Sequence, residues 1–127
     1  MAKASSATAD RVEDYGVALD RSSQLDGYTV NFVTITKSHD LAPMLAALPT
    51  GKCTCPHWGY VIKGRVVVRY DDHEEILVAG DAFYMKPGHA PEAEEGTELV
   101  QFSPTEQLRA TMAVLGATMA AEPEPVP

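Results

Sequence analysis

The chain has 127 residues, 45% of them hydrophobic, with 10 Lys and Arg against 18 Asp and Glu and a net charge of −8. That length supports one hydrophobic core and excludes two domains of ordinary size. The acidic balance excludes a phosphate-backbone partner, which needs clustered basic residues, so no nucleic acid is expected. No apolar run approaches the roughly 18 residues of a membrane span, and the first ten residues carry no apolar signal core. No membrane association is expected, and the cytoplasm is the expected compartment.

In chain order, residues 1–10 are small and polar and read as a disordered leader. Over 11–26, Val12, Tyr15, Val17 and Leu19 suggest an edge-covering strand. Gly27 ends it, and Tyr28 to Thr36, rich in β-branched and aromatic residues, is the first well-marked strand. Asp40 to Leu48 places Leu41, Met44, Leu45 and Leu48 at three and four spacing behind an acidic cap and an early Pro43, the pattern of a short helix. After Gly51, short strands alternate with turns: Arg65–Tyr70, Glu74–Val78, Ala82–Met85 and Thr97–Phe102, separated by Gly, Pro and Asp clusters. Strands at this spacing indicate an antiparallel sandwich or barrel, here of jelly-roll type.

The period changes at the end. Ser103-Pro104-Thr105-Glu106 has the form of a capping box with Pro at the first helical position, predicting a helix over 104–119. Leu108, Met112, Leu115 and Met119 then form an apolar stripe that must dock on the barrel or on a second subunit. Residues 121–127, Pro-rich, read as a disordered tail. One domain over 11–120 is expected.

The densest chemical signal is Gly51 to Gly64, which places Cys53, Cys55 and His57 within five residues. In an extended strand the two thiols would have Cβ atoms roughly 6 to 7 Å apart, too far for a disulfide. Reduced thiols are then either packed interior groups or metal ligands. Residues 53 and 57 on a straight strand lie roughly 13 Å apart, whereas a Cys and a His bound to one ion span only roughly 9 to 10 Å. The site therefore requires Pro56 to bend the chain. The competing reading has both cysteines and His57 as core residues without a metal.

These residues resemble a family. His57, six residues and Gly64 match the second half of the first cupin motif, with His where a metal-binding Glu usually stands. Gly80 to His89 approaches the second motif, with Lys86 at an expected Pro and Pro91 at an expected His. The run His-Trp-Gly-Tyr-Val-Ile-Lys-Gly, with Gly-Asp-Ala-Phe-Tyr, Pro-Gly-His-Ala-Pro-Glu and Phe-Ser-Pro, is similar to small bacterial single-domain cupins. The resemblance implies a mainly β jelly-roll barrel with a metal inside, and a fourth ligand, His89, from the second motif's hairpin. The implied ligand set is drawn from Cys53, Cys55, His57 and His89. Thiolate and imidazole favour zinc, with copper or iron next.

Trp58, Tyr60, Tyr84 and Glu92 are candidate pocket-lining residues; the acidic run around Glu92 otherwise reads as a solvated face. His39 and His73 are expected at the surface. Two functions follow from the resemblance. One is a metal-binding cupin that binds, or also transforms, a small organic molecule in the barrel, with an open coordination position. The other is a non-catalytic cupin whose zinc is structural or sensory and whose barrel serves ligand binding or dimerisation. Whether the chain is an enzyme stays open at this point. A homodimer is expected, through sheet edges and the apolar stripe of the last helix.

Overall fold

The computed structural model describes residues 3–121, with side chains up to residue 115. Its strands in chain order are β1 (Arg11–Asp14), β2 (Ala18–Leu25), β3 (Tyr28–Ile35) and β4 (His39–Asp40), then α1 (Ala42–Leu45), β5 (His57–Lys63) and β6 (Arg65–Arg69). They continue with β7 (Glu74–Val78), β8 (Ala82–Met85), β9 (Ala90–Ala93), β10 (Glu98–Pro104) and the helix α2 (Thr105–Ala121). A six-stranded sheet in the order β1-β2-β3-β10-β5-β8 faces a four-stranded sheet in the order β4-β9-β6-β7. All pairings are antiparallel. The sheets face one another without closing into a continuous hydrogen-bonded ring, so the barrel is an open jelly roll.

Local sequence explains the joints. Asp26 and Gly27 join β2 to β3 with φ of 49° and 82°. Two left-handed residues make a hairpin turn whose twist matches that of the flanking strands, and Asp and Gly are the residues that tolerate it. The helix read over Asp40 to Leu48 is real but shorter, because the chain first pairs as β4. The N-cap of α1 is Leu41 rather than the expected acidic residue; Asp40 Oδ1 accepts the Ala42 N–H at 2.9 Å, closing an Asx-type turn that leads from β4 into the helix.

The strand β9 has no counterpart in the sequence reading, because Pro91 lies inside it and proline lacks a ladder donor. The register shows why it is tolerated. Pro91 C=O accepts the Leu41 N–H at 3.0 Å, so its donor-less nitrogen also faces the side where β4 has ended and α1 begins.

Between the sheets lies an apolar core of Ile35, Val61, Val66, Val68, Leu77, Phe83, Met85, Ala93 and Leu99. Val61 and Val68 are completely buried, each worth about 1.5 to 3 kcal/mol of gross stabilisation. Gly59 completes this layer by its lack of a side chain: a Cβ there would lie 2.2 Å from Val100 O and 2.5 Å from the Phe83 ring.

A second cluster, at the His57 end of β5, joins Leu45, Leu48, Cys53, Cys55, Ala90 and Leu115, with Leu108 and Met112 packed against it. The described part of the α2 stripe thus docks on the chain's own barrel; Met119 lies outside the described side chains. The region read as a leader has a single turn over Ser6–Thr8, and Asp10 N–H donates to Ser23 Oγ. Of the expected tail, residues 122–127 lie outside the described residues. Among the described residues no helix is long and apolar enough to cross a membrane.

Candidate metal centre

Cys53 does not sit on a straight strand with His57. It pairs alone with His89, its N–H donating to His89 O at 2.8 Å and its carbonyl accepting the His89 and Gly88 N–H groups. The chain then bends at Cys55 and passes through Pro56 into β5, where His57 points inward. The result is a convergence of Cys53, His57 and His89, whose donor atoms all lie within 4.8 Å of one another. All three are buried, at 6%, 7% and 1% exposure.

Each imidazole is held by its other nitrogen. His89 Nδ1 lies 2.7 Å from the Lys86 carbonyl, which can only accept, so Nδ1 carries the proton and Nε2 offers a lone pair. His57 Nδ1 lies 2.6 Å from Ser103 Oγ, which leaves its Nε2 facing Cys53 Sγ at 3.7 Å. Polar groups that fix tautomer and ring orientation are the usual outer layer of a metal site. The Thr111 hydroxyl, reaching down from α2, contacts the Cys53 thiol.

Burial sets the charge state. It pushes His57 down to about 3, with a smaller contribution from neighbouring His89, and it lowers His89 as well. The Cys53 thiol is pushed up by burial, and Cys55 is pushed up to about 12 by burial and then by Cys53. Without a cation the cluster is therefore uncharged: two neutral imidazoles and a protonated thiol. Neutral imidazole is the form that binds metal, and a divalent ion would need to displace only the thiol proton.

The donor set fits such an ion. A sulfur and a nitrogen bound tetrahedrally at about 2.3 and 2.1 Å stand about 3.6 Å apart, against 3.7 Å observed. The structure brings three of the four expected ligands together. Cys55, 1% exposed, is the other: its Sγ contacts Pro56 O at 3.6 Å and the Ser103 hydroxyl, outside the group of three.

The pocket-lining candidates are placed elsewhere. Side chains alternate along β5, so inward His57, Gly59 and Val61 send Trp58 and Tyr60 to the outer face, 41% and 46% exposed. Tyr84 stacks on Trp58 there. Glu92 lies on the outer face of the four-stranded sheet, where Arg69 holds it at 2.6 Å and Glu74 at 2.8 Å. Trp58, Tyr60 and Tyr84 thus stand on the outer face rather than in the barrel, and Glu92 lines a shallow cavity outside it, with Arg65, Arg69, Glu74 and Glu94.

Ser103, read from sequence as a helix cap, is fully buried with its hydroxyl on His57; β10 runs on to Pro104 and α2 begins at Thr105. Ser103, Thr111 and the Lys86 carbonyl were not foreseen as site groups. Only the strand register, pairing Trp58 with Phe102 and so bringing Ser103 beside His57, reveals the first.

Among solved structures the chain is similar to an RmlC-like cupin from Shewanella frigidimarina NCIMB 400, with 20% identity and a TM-score of 0.53 over 74% of this chain and 83% of that one. It is also similar to a protein of unknown function from Rhizobium leguminosarum bv. viciae 3841 (20% identity, TM-score 0.59, 81% and 94% covered). A third is KdgF from Halomonas sp. (18% identity, TM-score 0.51, 74% and 86% covered). No family model and no curated protein matches the sequence. The fold is accordingly that of an RmlC-like cupin. Within it, this chain carries a clustered Cys/His group consistent with a cupin metal site.

Proposed function

We propose that this protein is a zinc-binding cupin in which Cys53, His57 and His89 hold the ion and a small organic molecule occupies the barrel beside it. The observation that supports this most is the set of three donors within 4.8 Å of one another, in which the 3.7 Å between Cys53 Sγ and His57 Nε2 is close to the spacing of two ligands on one tetrahedral ion. Three protein ligands leave one position for water or a ligand donor, the arrangement of catalytic rather than structural zinc sites. A bound zinc would supply Lewis-acid polarisation of an oxygen placed there. The chain's own residues do the rest. Ser103 and the Lys86 carbonyl aim the two Nε2 atoms, Thr111 fixes the Cys53 thiol, and the apolar layer of Leu45, Leu108 and Leu115 excludes water.

Thiolate plus imidazole ranks zinc first, with copper and ferrous iron behind it. A reducing compartment, the cytoplasm, suits a site that depends on a free thiol. A second reading, structural or sensory zinc without catalysis, is favoured by one observation: all three donors are at least nine-tenths buried beneath the α1 and α2 layer. Cobalt substitution tests the two. If the first reading holds, the visible spectrum of the cobalt protein changes when a small anion such as azide is added. An unchanged spectrum at saturating azide supports the second reading, and failure to bind cobalt or zinc at one equivalent refutes both.

A further inference from the structure

The inner face of the six-stranded sheet is not apolar throughout. Side chains alternate along a strand, so Val33, packed on the core, and Ser103, on His57, fix which residues of β3 and β10 point into the barrel. Asn31 and Gln101, each two residues along and paired with one another across the strands, share that face. Asp20 joins them from β2: Asn31 Nδ2 donates to both of its carboxylate oxygens at 3.1 Å. The barrel therefore carries a polar step between its apolar core and the metal centre.

Two groups in this step lack a partner that their chemistry requires. Asn31 is 7% exposed, and its Oδ1 is the one buried side-chain polar atom, among the described residues, without a hydrogen-bond partner. Turning the amide over gives no relief, because Oδ1 would then face the carboxylate and the NH2 group would be the orphan. Asp20 is the second. Burial pushes its carboxyl up; Glu13 adds to this, while the Asn31 hydrogen bond and the charge of Arg11 oppose it. Arg11 itself is paired with Glu13, and among the described residues Asp20 makes no ion pair.

We infer that Asp20 and Asn31 together receive a protonated amine carried by the small molecule in the barrel, an inference that rests on the barrel-ligand reading above. An ammonium brings three donors and the charge that Asp20 lacks. Amide oxygen and nitrogen are about 2.3 Å apart, so Asn31 Oδ1 stands no more than about 5.4 Å from the Asp20 oxygens. One nitrogen about 2.8 Å from each acceptor spans that gap. A neutral hydroxyl would satisfy Oδ1 and leave the carboxylate without a counter-charge, and an anion would be repelled. Asp20 and Gln101 are only half-buried, which leaves the step open on the β2 side. Gln101 and Ser103 lie about 7 Å apart along β10, so an acid bound to the ion by its carboxylate reaches the step with a chain of three or four carbons.

The test titrates the full-length, zinc-loaded protein by calorimetry with 4-aminobutanoate and with butanoate, which differ only in the amine. The amine should tighten binding about 10- to 100-fold. Asp20→Asn should remove that advantage while zinc affinity and butanoate binding stay as in the wild type; Asn31→Leu serves as the second variant should Asp20→Asn not fold. In the metal-free protein, propylammonium chloride should shift the side-chain amide NMR signal of Asn31, and potassium chloride at the same concentration should not. Equal affinities for the two acids overturn the inference, as does an advantage that survives both folded variants. An Asn31 signal unmoved by propylammonium also overturns it, leaving Oδ1 to water alone, and so does an equal shift with potassium, which would make the step an inorganic cation site. The metal-free measurement needs no ion at Cys53, so a protein that fails to bind zinc refutes the metal centre while this arm still decides the amine site.

Discussion

Replacing Ser103 by alanine separates two roles that the same residue could play. In the structure its hydroxyl sits 2.6 Å from His57 Nδ1 at a position with no solvent access. Ser103→Ala therefore leaves a buried Nδ1 unpaired, which costs about 1 to 3 kcal/mol of stability in the metal-free protein. It also frees the ring to rotate, and loss of such an outer partner lowers metal affinity by roughly 10- to 100-fold. A helix-cap role for Ser103 would predict a similar stability loss, about 0.5 to 2 kcal/mol, with no effect on metal. Stability alone thus cannot separate them, and affinity can. Zinc competition against a chromophoric chelator, with thermal unfolding of the metal-free and loaded forms, gives both numbers. An affinity within twofold of the wild type would refute the positioning role.

Three further outcomes follow from the same geometry. Cys53→Ser should reduce zinc affinity by at least about 100-fold, whereas Cys55→Ser should stay within about tenfold because its thiol lies in the outer layer; equal losses in the chelator assay would make Cys55 a direct ligand. The metal-free protein should lose stability on acidification. His57 is neutral in both states above its ordinary 6.5; below that the unfolded chain takes up a proton, while the folded site resists to about 3. The loss runs over pH 6.5 to 3 and is bounded by about 5 kcal/mol. His57→Gln should flatten the denaturant-midpoint profile across that window, and an unchanged slope contradicts the assignment. Gly59→Ala, whose Cβ would meet Val100 O at 2.2 Å, should destabilise by about 2 kcal/mol or more, read as a lower unfolding midpoint with the same slope.

What could be read from the sequence depended on range. Glu74–Val78 and Ala82–Met85 are local, marked by composition and turns, and the structure has the same two strands. β9 was hidden because Pro91 argues against a strand unless one knows that its bare nitrogen faces the end of β4. The need for a bend between Cys53 and His57 followed from bond lengths alone, and the chain makes it at Cys55, one residue before the expected Pro56. The misplacement of Trp58 and Tyr60 was avoidable: once His57 is inward, alternation sends them outward. Ser103 was not avoidable, because Ser-Pro-x-Glu is a sound capping signal locally and its real partner lies 46 residues away. Cys55, two residues from Cys53, is assigned by the fold to Pro56 and Ser103.

The proposed centre has three protein ligands, one sulfur and two imidazole nitrogens, from Cys53, His57 and His89. X-ray absorption at the zinc edge, on protein purified without added metal and shown by elemental analysis to hold one equivalent, counts these atoms directly. The expected shell is one sulfur near 2.3 Å, two imidazole nitrogens and one further oxygen or nitrogen near 2.0 to 2.1 Å. Two sulfurs would bring Cys55 into the centre, and absence of stoichiometric metal would remove the centre altogether.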